Sequence, residues 1–344
     1  MRFAACLVVA FSLVSAGLAA EPITLKSAVD PGPNKKDEAL RKAYSLDEAV
    51  KFLDSASLTW QKKRQCFTCH TNFAYLYARP LVDADNEAHR EVRRFAEELV
   101  TERWEKSGPR WDAEVVASGA ALAFNDAATT KKLHEVTRTA LDRMWKVQKP
   151  DGGFNWLKCD WPPMESDDHY GATLAAIAAG VAPEKYAESE PAKAGLARLK
   201  GYLAANPGPT AHHRAMVLWA STYYDGWLSA EQKQATIDEL LKLQKADGGW
   251  CVATLGDWKR KDNTEQDLES SDGYATGFAI YVLRRAGLPA DDARLAKGIA
   301  WLKANQRESG RWFTRSLYKD STHFLSHAGT AFAIMALAEC GQLK

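Results

Sequence analysis

The sequence has no excess of charge of either sign: 45 lysines and arginines stand against 44 aspartates and glutamates. A chain so nearly neutral carries no electrostatic footprint for a polyanion, so neither nucleic-acid binding nor attachment to an anionic membrane is expected. It also lacks a disulfide framework. After the first twenty residues the cysteines are Cys66, Cys69, Cys159, Cys251 and Cys340, an odd and scattered set. Cys159 and Cys251 both follow a Gly-Gly-aromatic turn, and the sequence leaves open whether they pair. Beyond the N-terminus no apolar run is long enough to span a bilayer, so no transmembrane segment is expected.

The first twenty residues are the exception to that polarity. Arg2 gives a positive start, Phe3 to Val14 are largely apolar, and Ser15, Ala16, Gly17, Ala19 and Ala20 lead in small steps to Glu21. This is the pattern of a cleaved secretory signal over 1–20, and no lipobox surrounds Cys6. A soluble periplasmic or secreted protein is expected. Residues 21–44, with Pro22, Pro31, Gly32 and Pro33, read as an extended leader, and 45–344 as one domain.

Residues 66–70 read CFTCH. Two thiols and an imidazole at this spacing suit covalent attachment of one haem c, with Cys66 and Cys69 forming thioethers to the vinyl groups and His70 binding iron. A redox CxxC pair beside a surface histidine, or half of a metal site, are the plainer readings, although zinc would normally want a second Cys/His pair. Covalent haem attachment in bacteria takes place outside the cytoplasm, so the export signal and the motif support each other. A redox partner is then implied, and Met164 or a histidine from elsewhere in the chain is expected as the sixth ligand.

Internal repetition sets the fold. QKPDGGFNW (148–156), QKADGGW (244–250) and NQRESGRWF (305–313) each end a helical pattern at Gln, turn through Gly and close on an aromatic. Each is followed by a helix rich in small and apolar residues, which puts Asp168, Asp272 and Ser326 in one column. Weaker copies begin near His70, Asp112 and His212. Six helix pairs result, with amphipathic first helices at 46–62, 86–105, 130–148, 189–205, 230–245 and 290–306. The expected fold is all-α: an α/α toroid of six helix hairpins, charged helices outside, small-residue helices inside, and all inner-helix starts at one mouth.

The stretch KGIAWLKANQRESGRW (297–312) resembles the QW repeat of squalene-hopene cyclases, and the ring of pairs resembles protein prenyltransferase β subunits. PPMESDDHYGATLAAI, SSDGYATGFAIYVLRRAG and GRWFTRSL are similar to a bacterial group of exported squalene-cyclase-like repeat proteins that carry a CxxCH ahead of the repeats. This resemblance, over roughly 45–342, implies the fold more firmly than the chemistry.

In the cyclases a D-x-D-D motif delivers a proton to an alkene. Glu165-Ser166-Asp167-Asp168 matches it with Asp167 at the acid position, but Glu165 replaces the first Asp and His169-Tyr170 replace the usual Thr-Ala. A histidine beside the acid favours the ionised carboxylate, the wrong state for protonating carbon. The resemblance to prenyltransferases implies zinc at the mouth, with Asp272 and His327 at two ligand positions but Tyr274 where the thiolate belongs; His169 and His323 are the substitutes.

What remains is a polar ring of Asp167, Asp168, His169, His212, His213, Asp272, His323 and His327, bordered by Tyr170, Tyr274, Trp250, Trp258 and Trp312. Helix capping accounts for any one of these singly, whereas their convergence suits a ligand site. Two classes compete, with Asp167, Asp168 and Asp272 as the catalytic candidates of either. One is a haem-bearing cyclase-like protein that binds or transforms a hydrophobic, isoprenoid-like ligand in a central cavity. The other is a carbohydrate-active barrel with acidic pairs and sugar-stacking tryptophans. A non-enzymatic electron-transfer or docking protein is the third reading.

Overall fold

A computed structural model describes residues 22–344 apart from 66, 68 and 321–323, and the side chain of Cys69. The signal segment, Cys66 and His323 therefore lie outside the described residues.

Among the described residues the chain forms six helix pairs and no strand beyond isolated bridges. The first pair is α1 (Leu46–Arg64) with α2, a continuous stretch made of a π turn (Cys69–Phe73), an α-helix (Ala74–Ala78) and a 3-10 turn (Arg79–Leu81). In the second, α3 (Glu87–Glu98, running on through Leu99–Arg103 and Trp104–Ser107) precedes α4 (Asp112–Ala128). The remaining pairs are α5 (Glu135–Lys146) with α6 (Asp168–Val181), α7 (Glu190–Ala205) with α8 (Ala211–Ser221), α9 (Ala230–Lys242) with α10 (Gly273–Arg285), and α11 (Ala293–Ala304) with α12 (Leu325–Glu339). Each even-numbered helix packs on the next, and α12 packs back on α2, so the inner ring is closed. The expected toroid and its pair order are observed.

The small residues of the inner helices allow this closeness. A Cβ at Gly277 would stand 2.6 Å from the backbone of Ala333, so α10 and α12 meet main chain to main chain.

The Gln-Gly-aromatic turns join the outer helices. Nε2 of Gln148, Gln244 and Gln306 donates to the carbonyl of the turn glycine, Gly152, Gly248 or Gly310, at 2.8, 2.8 and 3.0 Å. The same nitrogen donates to a carbonyl at the following outer helix: Gly195, Arg294 or Ser45, at 2.9, 2.7 and 2.9 Å. The three glycines have φ of +91, +93 and +91°, and a Cβ there would meet the backbone oxygens of Arg198, Lys297 and Glu48 at 2.3, 2.8 and 2.0 Å. Glycine is required both by the left-handed conformation and by the approach of the neighbouring helix. Trp250 and Trp312 pin the turn by donating Nε1 to the carbonyls of Leu240 and Leu302, both at 2.7 Å.

Residues 34–41 lie over the third turn and are fastened to it. Arg41 N donates to Gln306 O and Glu308 N to Ala39 O, both at 2.9 Å. Asn34 reaches the start of α12, where Ser326 Oγ donates to its Oδ1 at 2.8 Å.

The lumen is filled with side chains. Tyr77, Phe124, Trp219, Tyr281 and Phe332, from five different inner helices, are all buried. Their rings meet at 4.6 Å (Tyr77–Phe124), 5.8 Å (Phe124–Trp219), 5.1 Å (Trp219–Tyr281) and 6.1 Å (Trp219–Phe332). Tyr274, Phe278 and His212 carry the aromatic packing on to the mouth. The central ligand cavity expected from the sequence is thus occupied by aromatic packing, because five of the six inner helices bring a large ring to the axis.

Candidate functional site

Between α1 and α2, Phe67 stacks on Phe95 at 5.2 Å. His70 then falls in the opening π turn of α2 and is buried. Phe324 stacks on its ring at 4.8 Å, while Trp60 meets it edge-on at 5.7 Å and Trp161 at a tilt at 5.8 Å. Its Nδ1 lies 3.2 Å from Oε1 of Glu165. Its Nε2 is buried without a hydrogen-bond partner among the described residues. The imidazole borders a recess lined also by Trp161, Pro162, Met164, Ser316, Phe324 and Leu325. An orphaned imidazole nitrogen costs free energy unless something coordinates or bonds it.

A second cluster lies at the starts of α6 and α8. Asp167 caps α6, accepting from Tyr170 N at 3.1 Å, and its other oxygen lies 3.0 Å from both His213 Nε2 and Ser166 Oγ. Burial works to raise the Asp167 pKa, but the His213 bond and charge, the Tyr170 N–H and the Ser166 hydroxyl outweigh it and hold the carboxyl at about 2. Thr210 Oγ1 lies 2.7 Å from the other nitrogen of His213. His169 packs edge-on against His213 at 4.8 Å, and burial, with the neighbouring His213 adding to it, drives its pKa down to about 4. Neither ring nitrogen of His169 has a partner among the described residues. His212 meets Tyr274 Oη at 2.9 Å, and burial pushes its pKa down to about 3. Tyr170 and Tyr274 both stack on His212, at 6.3 and 6.0 Å, and Trp258 meets its edge at 6.0 Å.

Asp272 caps α10 through Ala275 N at 2.9 Å, accepts from Val252 N at 2.5 Å and receives Thr314 Oγ1 at 3.3 Å. Burial pushes its pKa up to about 7 despite these donors. It borders a cleft with Cys251, Arg307 and Arg315, whereas His327 borders another with Trp60 and Lys63, its Nδ1 being 3.1 Å from Thr71 Oγ1. Asp168 is turned away from Asp167, accepting from Trp156 N at 3.0 Å with Lys149 and Lys158 at 3.8 and 3.5 Å. The inner-helix starts share one rim, but Asp167, Asp168, Asp272 and His327 occupy separate surroundings on it, each with its own partners. Among the described residues no cluster of three His, Cys, Asp or Glu side chains could hold a metal, which removes zinc binding by His169, Asp272 and His327 together. Cys159, exposed, and Cys251 and Cys340, buried, are all free thiols, so Cys159 and Cys251 do not pair.

Sequence reasoning missed Glu165 and Trp161 as neighbours of His70. The signal was Glu165 itself, the one acidic departure from D-x-D-D, whose extra methylene gives it reach.

A closed α/α ring with Gln-Gly-Trp turns is a squalene-cyclase-like and prenyltransferase-like toroid. No family model matches the chain. A squalene–hopene cyclase of Zymomonas mobilis is 35% identical over 79 residues, which span 23% of this chain and only 10% of that enzyme's length. The fold is similar to that of ent-copalyl diphosphate synthase from Streptomyces platensis, with TM-score 0.52 and 15% identity over 85% of this chain and 51% of that one. It is similar also to a type II terpene cyclase from Scytonema, with TM-score 0.53 and 14% identity over 87% and 98% of the two chains. An inactive variant of an α-1,6-mannanase from Salegentibacter, with two consecutive aspartates replaced by asparagine, matches at TM-score 0.53 and 11% identity over 87% and 100%. No helix among the described residues is long and apolar enough to cross a membrane.

Proposed function

We propose that this is an exported haem c protein, periplasmic or secreted, in which a cyclase-like toroid serves as the rigid seat of a redox centre. Cys66 and Cys69 attach one haem and His70 binds its iron. The observation that carries this reading is the His70 imidazole, buried with Nε2 unpartnered among the described residues and bordering the recess beside Met164. The donor set fits: an imidazole and a thioether are ordinary ligands of haem iron. Bound there, haem supplies one-electron transfer. The chain's own part is to orient the imidazole through Glu165, to cover it with Phe324 and Trp161, and to keep the lumen closed by aromatic packing. A redox partner, or a hydrophobic, isoprenoid-like ligand, would meet the aromatic surround of His70.

The test is protein produced with the haem-attachment machinery and the same protein carrying Cys69→Ala. Colour that stays with the protein through acid–acetone extraction, and is lost in the variant, is the expected result. Colour that extracts, or never forms, overturns the assignment.

The second reading, a carbohydrate-active toroid, is favoured by the consecutive Asp167 and Asp168 at an inner-helix start and by the mannanase neighbour. Against it, Asp168 is occupied by Trp156 N and flanked by two lysines, while Asp167 faces His213, so the two carboxyls do not address one bond. Release of reducing sugar from α-1,6-mannan, abolished by Asp167→Asn, would establish it.

A further inference from the structure

We infer that Glu165 is the positioning residue of the haem-binding histidine, holding the His70 ring so that Nε2 alone is offered to iron; this rests on the haem reading above. The two side chains are each 6% exposed, and Nδ1 stands 3.2 Å from Oε1. With Phe324 stacked on the ring and Trp60 against its edge, Glu165 fixes which nitrogen faces the recess.

The backbone of Glu165 is itself anchored. Glu165 N donates to Trp161 O and Cys159 N donates to Glu165 O, both at 3.0 Å, so the 159–165 loop carries Trp161, Met164 and Glu165 together to His70. Further, Asp167 is already served by His213, Ser166 and Tyr170 N, which leaves Glu165 free of the acid motif it resembles. The carboxyl at the first position of that motif meets an imidazole instead. A carboxyl against Nδ1 increases electron density on the ring and makes Nε2 a stronger donor, which favours ferric over ferrous iron.

The test uses the full chain matured with covalent haem, in wild-type form and as Glu165→Gln and Glu165→Asp. Covalent haem content should be the same in all three. The midpoint potential should rise and the ferric EPR g-values should move in both variants, because Gln keeps the reach but loses the charge, and Asp keeps the charge but loses the reach. Variants with haem intact and with potential and g-values of the wild type overturn the role of Glu165 and leave the haem assignment standing. A wild-type protein without covalent haem overturns both.

Discussion

Gln306 and Ser45, 261 positions apart, exchange two hydrogen bonds: Ser45 N donates to the glutamine Oε1 at 2.8 Å and the glutamine Nε2 returns one to Ser45 O at 2.9 Å. The third Gln-Gly-Trp turn thus seals the last outer helix to the first, just as the other two turns link consecutive helices. Closure of the toroid is written into the same motif that repeats along it.

Gly310 lies within that seal, and it should be the least replaceable glycine of the turn. Its φ is +91° and a Cβ would sit 2.0 Å from Glu48 O, whereas Gly341, at φ +66°, has nothing within 4 Å. Gly310→Ala should cost about 3 kcal/mol or more and Gly341→Ala about 1 kcal/mol, since only the first adds a backbone collision to the conformational penalty. Urea midpoints of the two variants would decide it, and equal losses would contradict the described closure.

Stability should respond to pH through groups with opposite signs. His212 and His169 have folded pKa values of about 3 and about 4, below the ordinary histidine value, so the unfolded chain binds more protons. Their contribution is complete above about pH 6.5 and is lost as pH falls toward those values. Asp167, held at about 2, adds a later loss below about pH 4. Asp272, raised to about 7, runs the other way: its contribution is present below about pH 4 and is lost as pH rises through 7. Unfolding free energies measured from pH 4 to 8 should show less acid loss in His212→Gln and less alkaline loss in Asp272→Asn. Profiles parallel to the wild type would contradict both assignments.

Squalene should not be cyclised. Proton delivery to an alkene needs a neutral acid, and Asp167 is held ionised by His213, Ser166 and Tyr170 N while aromatic side chains fill the lumen. Incubation of haem-loaded protein with squalene in detergent should yield no pentacyclic product. Hopene formation lost on Asp167→Asn would show the motif to be a working acid.

Thiol counting offers an independent check on the haem. With thioethers at Cys66 and Cys69, the unfolded mature protein should titrate as three thiols, those of Cys159, Cys251 and Cys340. In the native state Cys159, the exposed one, should react first, because Cys251 is buried and burial, with Asp272 nearby, pushes its thiol up to about 12. Five thiols on unfolding would rule out the thioethers.

The sequence by itself determined the helix pairs, their order and the ring. Gln148, Gln244 and Gln306 with their glycines carry that information locally, since each turn makes the same short-range bonds and the same contact to the next helix. Helix starts were legible for the same reason: Asp167, Thr210 and Asp272 cap with their own side chains, three residues from the N–H they satisfy. Only the tertiary structure decided what the rim residues face. Asp167 and Asp168 are neighbours in sequence, yet one meets His213 and the other Lys149 and Lys158, because successive side chains at a helix start diverge. The filling of the lumen by Tyr77, Phe124, Trp219, Tyr281 and Phe332, and the meeting of Glu165 with His70, depend on side chains from separate repeats reaching the same space. No local pattern encodes such a meeting; it follows from the closure of the ring.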